Sequence, residues 1–331
     1  MSENKFLTVS SSPHIKSPIK TKNLMGDVIL ALLPMLIWAI YIFGFRALTI
    51  TLISVISCVI FEFLYRKIMN KHNTIGDLSA VVTGILLAYS LPVSVPLWIP
   101  VAGSFFAIII VKQLYGGIGK NIVNPALAAR VFLFIAYPSE LTNYTISGGE
   151  KLSAIAIDVS EKAEIIKAGA TPLVSLKEGI LPQNDIISLF IGNHAGCIGE
   201  VSAILIILTG IFLIARKVIT WHIPVSFIAT VALLSLIFPA YSITSIDFMM
   251  YELFSGGLLI GAFFMATDYV TSPVTKSGRI IYGIGCGLIT VFIRCFGGYP
   301  EGVSFAILIM NLFVWYIDNV TKPRVFGGGV K

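Results

Sequence analysis

The stretch MGDVILALLPMLIWAIYIFG, residues 25–44, contains one charged side chain, Asp27, in twenty consecutive positions. Twenty residues of α-helix rise about 30 Å, which is the thickness of the hydrocarbon core of a bilayer. Apolar stretches of about this length recur along the chain, whereas a strand of a membrane barrel needs about 9 to 11 residues. The sequence therefore predicts an integral membrane protein built from α-helices.

The composition points the same way. Of the 331 residues, 56% are hydrophobic and 12% are charged, and the mean hydropathy is +0.90, whereas about a quarter of a soluble domain is charged. The net charge of +6 is modest and concentrated in loops, which suits residues that set membrane topology rather than a nucleic-acid surface. The four cysteines form no C-x-x-C pair, so we expect neither a zinc site nor a disulfide framework.

Apolar runs bounded by charge, glycine or proline predict ten membrane helices. They cover residues 25–44, 46–66, 75–91, 96–114, 122–137, 199–215, 221–239, 251–267, 279–295 and 301–317. The runs 75–91 and 251–267 are short for a full span, and each leads into a proline-containing break. We expect these two to be broken or re-entrant segments, as in many transporters.

Basic residues in the loops predict the orientation. Lys20 and Lys22 precede the first predicted helix, Arg66 and Lys67 follow the second, and Arg216 follows the sixth. With ten helices these residues fall on one side, which the positive-inside rule makes cytoplasmic. The polar N-terminal segment lacks the apolar core of a signal peptide, so the first helix should be retained. Both termini are then cytoplasmic, and the long loop 138–198 is extracytoplasmic.

A weak internal repeat divides the chain into two halves. When the sequence is aligned with itself at an offset of 181 residues, Pro92 aligns with Pro273 and Gly116 aligns with Gly297. A five-helix offset inverts the second half, which is typical of transporter folds. We expect an all-α fold of two inverted five-helix repeats with broken helices, similar to urea and ammonium transporters. The predicted regions are a cytoplasmic segment 1–22, a first repeat 23–137, an extracytoplasmic loop 138–198, a second repeat 199–318 and a cytoplasmic tail 319–331.

The extracytoplasmic loop contains the candidate cofactor site, in the run KAGATPL, residues 167–173. Gly169 and Ala170 leave little side-chain bulk beside the Thr171 hydroxyl, and Pro172 favours an extended backbone at Thr171. An accessible threonine of this kind can be modified covalently. Taken alone, so short a string favours an ordinary turn.

Longer strings add a family resemblance. They are GGIGKNIVNPA at 116–126, RVFLFIAYP at 130–138, MATDYVTSP at 265–273 and RCFGGYPEGV at 294–303. Together with the Gly-Ala-Thr run they resemble the NqrB/RnfD family, which contains the RnfD component of the Rnf ion-translocating electron transport complex and the NqrB component of the sodium-translocating NADH:quinone reductase. The resemblance extends from about Lys20 to the end of the chain. The compact length and short N-terminal segment favour the RnfD type.

The resemblance implies that the phosphate of FMN is esterified to Thr171, with Gly169 and Ala170 as part of the attachment motif. It also implies a second, non-covalent riboflavin, whose contacts the sequence does not place. This chain has Ala168 where relatives have Ser or Asp, and Glu164 is the nearest upstream acid, so attachment could be less efficient. The implied partners are Rnf-type subunits A, B, C, E and G, a flavin transferase and membrane lipid, without nucleic acid.

The resemblance therefore implies that the chain is one component of a Na⁺- or H⁺-translocating ferredoxin:NAD⁺ oxidoreductase in the cell membrane. That complex is a redox-driven translocase, and we expect the chain alone to be inactive. One alternative is the NqrB component of a sodium-translocating NADH:quinone reductase. The other, from a different class, is a urea- or ammonium-like solute permease. No dinucleotide fingerprint or nucleophile–base set is apparent in the sequence, so we predict no catalytic residue of its own.

Ionisable residues near membrane depth are the remaining candidates, because burying a charge there is costly. They are Asp27, Glu62, Asp77, Arg130, Glu200, Glu252, Asp268 and Arg294. For each one, anchoring at the interface or pairing is the simpler explanation. Asp268 is the exception, because it follows a short helix and precedes Thr271, Ser272 and Pro273. We expect this broken segment to line part of a sodium or proton path.

Overall fold

The computed structural model describes residues 20–144, 172–179, 182, 186–192, 194, 196–200, 202–239, 244–299 and 301–323. Throughout these ranges the regular elements are helices joined by turns. Residues 169–171, which include the predicted flavin attachment site, lie outside the described residues.

The first half contains six helices. They are α1 Thr21–Phe43, α2 Phe45–Ile68, α3 Ser79–Tyr89, α4 Trp98–Phe105 with a π-helical continuation Phe106–Gln113, α5 Pro125–Ala136 and the short α6 Pro138–Thr142. Gly44 separates α1 from α2 with φ +81°, a conformation open to glycine but strained for other residues.

The second half begins in the long loop. Its helices are α7 Pro172–Lys177, α8 Ile186–Ile191, α9 Ala203–Ala215, α10 His222–Ile237, α11 Ser245–Phe254, α12 Leu258–Ile260 with a π-helical continuation Gly261–Met265, α13 Lys276–Phe296 and α14 Val303–Thr321. A 3₁₀ turn, Ile198–Glu200, precedes α9.

Helix length and composition identify a multi-pass membrane protein. In the described ranges α1, α2, α13 and α14 are each long and apolar enough to cross a bilayer, and the bent pair α11–α12 makes a fifth candidate span. Large apolar side chains such as Ile37, Phe292 and Trp315 are more than 60% exposed. An outward-facing apolar surface of this extent is expected where lipid surrounds the protein.

The prediction of broken helices at 75–91 and 251–267 agrees with the described structure. The first run divides into a 3₁₀ turn, Ile75–Asp77, and the eleven-residue α3, with Leu78 between them at φ +64°. The second forms the bent pair, which begins earlier than predicted, at Ser245, and turns by 60° at its break. Gly256, at φ +70°, allows that turn.

The two broken segments meet where α3 ends. The Ile198 amide donates to the Leu91 carbonyl at 3.0 Å, so the turn before α9 lies against the end of α3. A Cβ atom added to Gly199 would lie 2.6 Å from the Tyr89 Cβ and 2.7 Å from the Ile260 Cδ1. This close contact, which requires a glycine, brings residues from both halves together around Glu200.

Candidate functional site

The residues that follow Thr171 in the chain are packed against the second half. Leu173 and Leu176 of α7 are buried with Phe248 and Tyr251 of α11. Lys177, at the end of α7, donates to the Gly297 carbonyl. Helix α7 is therefore held at a fixed position beside α11, although the threonine itself is outside the described residues.

A buried guanidinium lies next to α7. A Cβ atom at Gly256 would lie 2.5 Å from the Leu173 Cδ1 and 3.5 Å from the Arg294 Nη2. Arg294 forms an ion pair with Glu252 and donates to the Glu252 carbonyl at 2.7 Å. Both side chains are buried, so their charges compensate each other away from water.

Three further ionisable residues form what we call the outer cluster: Arg130 of α5, Glu200 of the 3₁₀ turn and Glu301 just before α14. Arg130 forms an ion pair with Glu301, and Glu301 also accepts from the Gly257 amide at 3.1 Å. A Cβ atom at Gly257 would lie 2.5 Å from Glu301 Oε1 and 3.4 Å from Glu200 Oε1. Both carboxyl groups therefore face the same glycine.

Within the outer cluster Glu200 differs from Glu301, because the ion pair of Arg130 is with Glu301. Its Oε2 accepts from the Cys197 amide at 3.3 Å, while its buried Oε1 has no hydrogen-bond partner among the described residues. Burial, and then the charge of Glu301, raise the pKa of Glu200 to about 7, although Arg130 acts in the opposite direction. His194 is buried close by, and this burial lowers its pKa to about 4.

A second site, which we call the inner cavity, lies between the two halves and has a volume of about 400 Å³. Its walls are mainly apolar and come from α1, α3, α9 and the π-helical part of α12. The polar lining residues that matter below are Lys112, Asn121, Asn124 and Asp268. An apolar pocket with a few convergent polar groups is the usual form of a cofactor site.

Asn124 holds one wall of the inner cavity in place. Its side-chain oxygen accepts from the Ala126 amide at 3.0 Å, which makes Asn124 the N-terminal cap of α5. Its side-chain nitrogen donates to the Met265 carbonyl at 3.1 Å and so links the first half to the second. The Asn121 side-chain nitrogen donates to the Val123 carbonyl at 3.3 Å.

Asp268 lines the inner cavity and is half-buried. Thr271 donates to its Oδ2 at 3.1 Å. Removal from water raises the pKa of Asp268, while the hydrogen bond from Thr271 acts in the opposite direction. The structure therefore places Thr271 beside Asp268 of the cavity wall.

Lys112, a further residue of the cavity wall, belongs to a buried network. Its Nζ donates to Glu62 at 2.8 Å and to the Ser79 hydroxyl at 2.6 Å. Glu62 also accepts from Thr74 at 2.7 Å and lies 3.9 Å from the Arg66 Nε. One buried carboxylate is thus contacted by two cations.

Pairing accounts for most of the other ionisable candidates. Asp27 binds Arg216 at 2.9 Å, and Asp77 accepts from the Ser79 hydroxyl at 2.6 Å. Glu62, Glu252, Arg130 and Arg294 all have the ion-pair partners described above.

Two important residues were not among the sequence candidates. Lys112 interrupts the apolar run 96–114, and a lysine inside a predicted span is itself a signal of function or pairing. Glu301 stands between Pro300 and Gly302 in a polar turn, and its partner Arg130 lies 171 residues away. Local sequence carries no signal for a contact over that separation.

The described structure thus defines a class: a helical multi-pass membrane protein with broken helices, an internal cavity and a buried cluster of charges. A family model described as the NQR2, RnfD, RnfE family matches residues 8–327. The chain belongs to this family.

Three relatives are similar over almost the whole chain, and each is the component designated D of its complex. The one from the Na(+)-translocating ferredoxin:NAD(+) oxidoreductase complex of Acetobacterium woodii is 46% identical, with 97% of this chain and 95% of that protein covered. The one from the proton-translocating ferredoxin:NAD(+) oxidoreductase complex of Clostridium ljungdahlii is 39% identical, with coverage of 97% and 96%. The one from the ion-translocating oxidoreductase complex of Aliivibrio salmonicida is 36% identical, with coverage of 96% and 98%.

Proposed function

We propose that this chain is the RnfD-type membrane subunit of an ion-translocating ferredoxin:NAD⁺ oxidoreductase complex and carries electrons through FMN bound covalently to Thr171. Family membership and the near-complete coverage of the relatives named above support the first part. The Gly169-Ala170-Thr171 string and the position of α7 support the second. The chain would be one part of a redox-driven translocase and would have no activity alone.

The residues around α7 fit a flavin phosphoester. Pro172 and Leu173 are buried, so the chain leaving Thr171 has a fixed course. The ring centroids of the half-buried Phe190 and Phe254 lie 4.2 Å apart, and Phe254 packs against the apolar cluster that contains Leu173 and Leu176 of this helix. Aromatic side chains offer a large apolar surface for a flat ring system.

The inner cavity fits the second, non-covalent flavin. Its volume is within the range of small-molecule pockets, about 300–1,000 Å³. Its apolar walls would exclude water, while Lys112, Asn121, Asn124 and Asp268 would offer hydrogen bonds to the polar edge of riboflavin. The size and chemistry of the lining support this assignment.

A bound flavin supplies one- and two-electron chemistry, and the protein fixes its position and tunes its potential. Asn124 joins the two halves beside the cavity, and Lys112 places a positive charge near any electron-rich ligand there. Asp268, with Thr271, is proposed to line part of the sodium or proton path. The names of the relatives include both ions.

An ion-transport assay tests the role of Asp268. Asp268→Asn in the assembled complex should abolish or strongly reduce ion uptake into vesicles while the covalent flavin stays at the wild-type level. Asp27→Asn, which removes a peripheral partner of Arg216, is the matched control. Unchanged transport by the Asp268 variant would contradict the proposed path.

The finer membrane topology is part of the proposal. We infer ten membrane-inserted segments in two inverted halves, similar to urea and ammonium transporters. The subunit would lie in the cell membrane, with both termini in the cytoplasm. The loop that carries Thr171 would be extracytoplasmic. The loop charges and the two broken segments support this arrangement.

The partners would be Rnf-type subunits A, B, C, E and G, and a flavin transferase would attach FMN. The NqrB-type alternative, in a quinone reductase, is less well supported, since two of the relatives cited above belong to ferredoxin:NAD(+) oxidoreductase complexes. The permease alternative makes no use of a modified threonine, so the state of Thr171 separates it from the redox function.

In-gel fluorescence of the denatured subunit tests covalent attachment. In a host with a flavin transferase, the wild-type band should fluoresce and Thr171→Ala should abolish the signal. Ser175→Ala removes a hydroxyl four residues further on and should leave fluorescence unchanged. A wild-type band without fluorescence in that host would contradict the proposal and favour the permease.

A further inference from the structure

We propose that Glu200 is a proton-exchange site that binds a proton when an electron arrives at the flavin on Thr171 and releases it when the electron leaves. This inference rests on the proposed function, because it requires a flavin beside α7. It assigns a role to a residue that the electron-carrier function by itself does not use.

The first argument is the balance of charge in the outer cluster. Among the described residues, Arg130 supplies the one guanidinium in direct contact with the carboxyl groups of Glu200 and Glu301, and its ion pair is with Glu301. Glu200 therefore lacks a cation of its own, although it is buried, with 8% of its surface exposed. A buried carboxyl without a paired cation is stabilised by protonation.

The second argument is the unsatisfied oxygen. Glu200 Oε2 has an amide donor, but Oε1 has no partner in the described part of the chain. A buried acceptor of this kind is costly. When Glu200 is protonated the repulsion between the two carboxylates disappears, and burial together with the charge of Glu301 raises the pKa of Glu200 from that of an exposed carboxyl group towards neutral pH.

The groups that face Glu200 come from every surrounding segment. Arg130 of α5 attracts its negative charge, and Glu301 before α14 repels it. Cys197, in the same turn, donates its amide, and its buried thiol has a raised pKa. Tyr144, after α6, is close enough to interact with Glu200, and its own pKa is also raised by burial.

His194 is the remaining titratable neighbour. A Cβ atom at Gly196, between the two residues in sequence, would lie 3.0 Å from Glu200 Oε2 and 3.6 Å from the His194 Nε2. Burial lowers the pKa of His194, so the imidazole is neutral near pH 7. It therefore does not supply the missing positive charge.

The third argument is the position of the cluster beside α7. A Cβ atom at Gly256 would lie 2.5 Å from the Leu173 Cδ1 of α7, and a Cβ atom at the next residue, Gly257, would lie 3.4 Å from Glu200 Oε1. Two adjacent Cα atoms are about 3.8 Å apart, so the carboxyl group and α7 are separated by little more than this glycine pair. A charge held at α7 would act on Glu200 across a buried region, where screening by salt is weak.

The exchange is balanced in charge. One electron reaches the flavin from reduced ferredoxin, the donor in the names of the relatives. One proton from water then forms the O–H bond of Glu200, which offsets the added negative charge. When the electron passes to the next carrier, that O–H bond breaks and the proton returns to water.

Redox-difference infrared spectroscopy of the purified, assembled complex tests the proposal. The reduced-minus-oxidised spectrum should contain a carbonyl stretching band of a protonated carboxylic acid, which shifts when the complex is labelled with ¹³C-glutamate. Glu200→Gln should remove this band. Glu252→Gln is the matched control, because Glu252 is a buried carboxylate with its own guanidinium, and should retain the band.

Electrochemistry gives a second readout on the same samples. The midpoint potential of the covalent flavin should depend less on pH in Glu200→Gln than in the wild type or Glu252→Gln. If Glu200→Gln does not assemble, Glu200→Asp keeps the carboxyl group and should shift the infrared band instead of removing it.

The outcomes separate this proposal from the proposed function. Loss of the band in Glu200→Gln, with in-gel flavin fluorescence retained, supports it. A band that persists in Glu200→Gln, or no band in the wild type while fluorescence is present, overturns the role of Glu200 and leaves the flavin assignment intact. Absence of fluorescence from the wild type overturns both.

Discussion

The outer cluster and the network beside the inner cavity have opposite arrangements of charge. In the outer cluster one guanidinium, Arg130, is faced by two carboxyl groups, Glu200 and Glu301. Beside the inner cavity one carboxylate, Glu62, is contacted by two cations, Lys112 and Arg66. The comparison teaches that a proton-binding group should be sought where carboxyl groups outnumber cations, and an electron-rich ligand where cations are in excess.

The largest expected effect is that of Arg130→Met. The variant leaves the buried Glu200 and the partly buried Glu301 without the cation of this cluster, and removing one partner of a buried pair costs about 3–5 kcal/mol of unfolding free energy. We expect a clearly lower thermal unfolding midpoint in detergent. Arg130→Met combined with Glu301→Gln should recover much of the loss, and failure to recover would show that the two residues act independently.

Lys112→Met should cost less, about 1–3 kcal/mol. Glu62 would lose one cation but keep Arg66 and the Thr74 hydroxyl as partners. The same unfolding assay measures the difference between the two variants. A loss equal to that of Arg130→Met would mean that the second cation does not compensate, and the contrast between the regions would fail.

Gly257→Ala probes the space between the carboxyl groups. The added Cβ would lie 2.5 Å from Glu301 Oε1, so Glu301 has to move, at a cost of about 1–2 kcal/mol typical of a mildly overpacked site. Gly298→Ala is the matched control, since a Cβ there has no atom within 4 Å. Equal unfolding midpoints for the two variants would contradict the described packing.

The smallest effect concerns pH. Because the pKa of Glu200 is raised to about 7 from 4.5, the folded protein binds more protons than the unfolded chain between these values, and stability falls as pH rises through this window. Glu200→Gln cannot titrate, so its unfolding midpoint should vary less between pH 4.5 and 7. An identical pH profile for both proteins would contradict the raised pKa.

The helical membrane fold could be predicted from sequence because its signal is local. The apolar run at 25–44 became α1, and the broken segments were visible as short runs ending near proline. The predicted helix 96–114 appears as α4 with a π-helical second half. A change to π-helical hydrogen bonds leaves the mean hydropathy of the run unchanged, so hydropathy cannot reveal it.

The sites were less predictable because their contacts are distant in sequence. Asn124 precedes Pro125 at the start of α5, which is a local pattern typical of a helix cap. Its bond to Met265 spans 141 residues, and that bond connects the two halves. Arg130 and Glu200 were each recognisable as candidates in the sequence. That Glu200 and Glu301 both face Gly257 follows only from the three-dimensional structure.

Helix α5 has a mechanical consequence for the whole subunit. Asn124 at its first turn touches the inner cavity, and Arg130, six residues later, holds Glu301 in the outer cluster. Six residues of helix rise about 9 Å as a stiff rod. A tilt of α5 would displace both residues at once. Binding of a ligand in the inner cavity and movement of the Arg130 guanidinium would then be coupled through this helix.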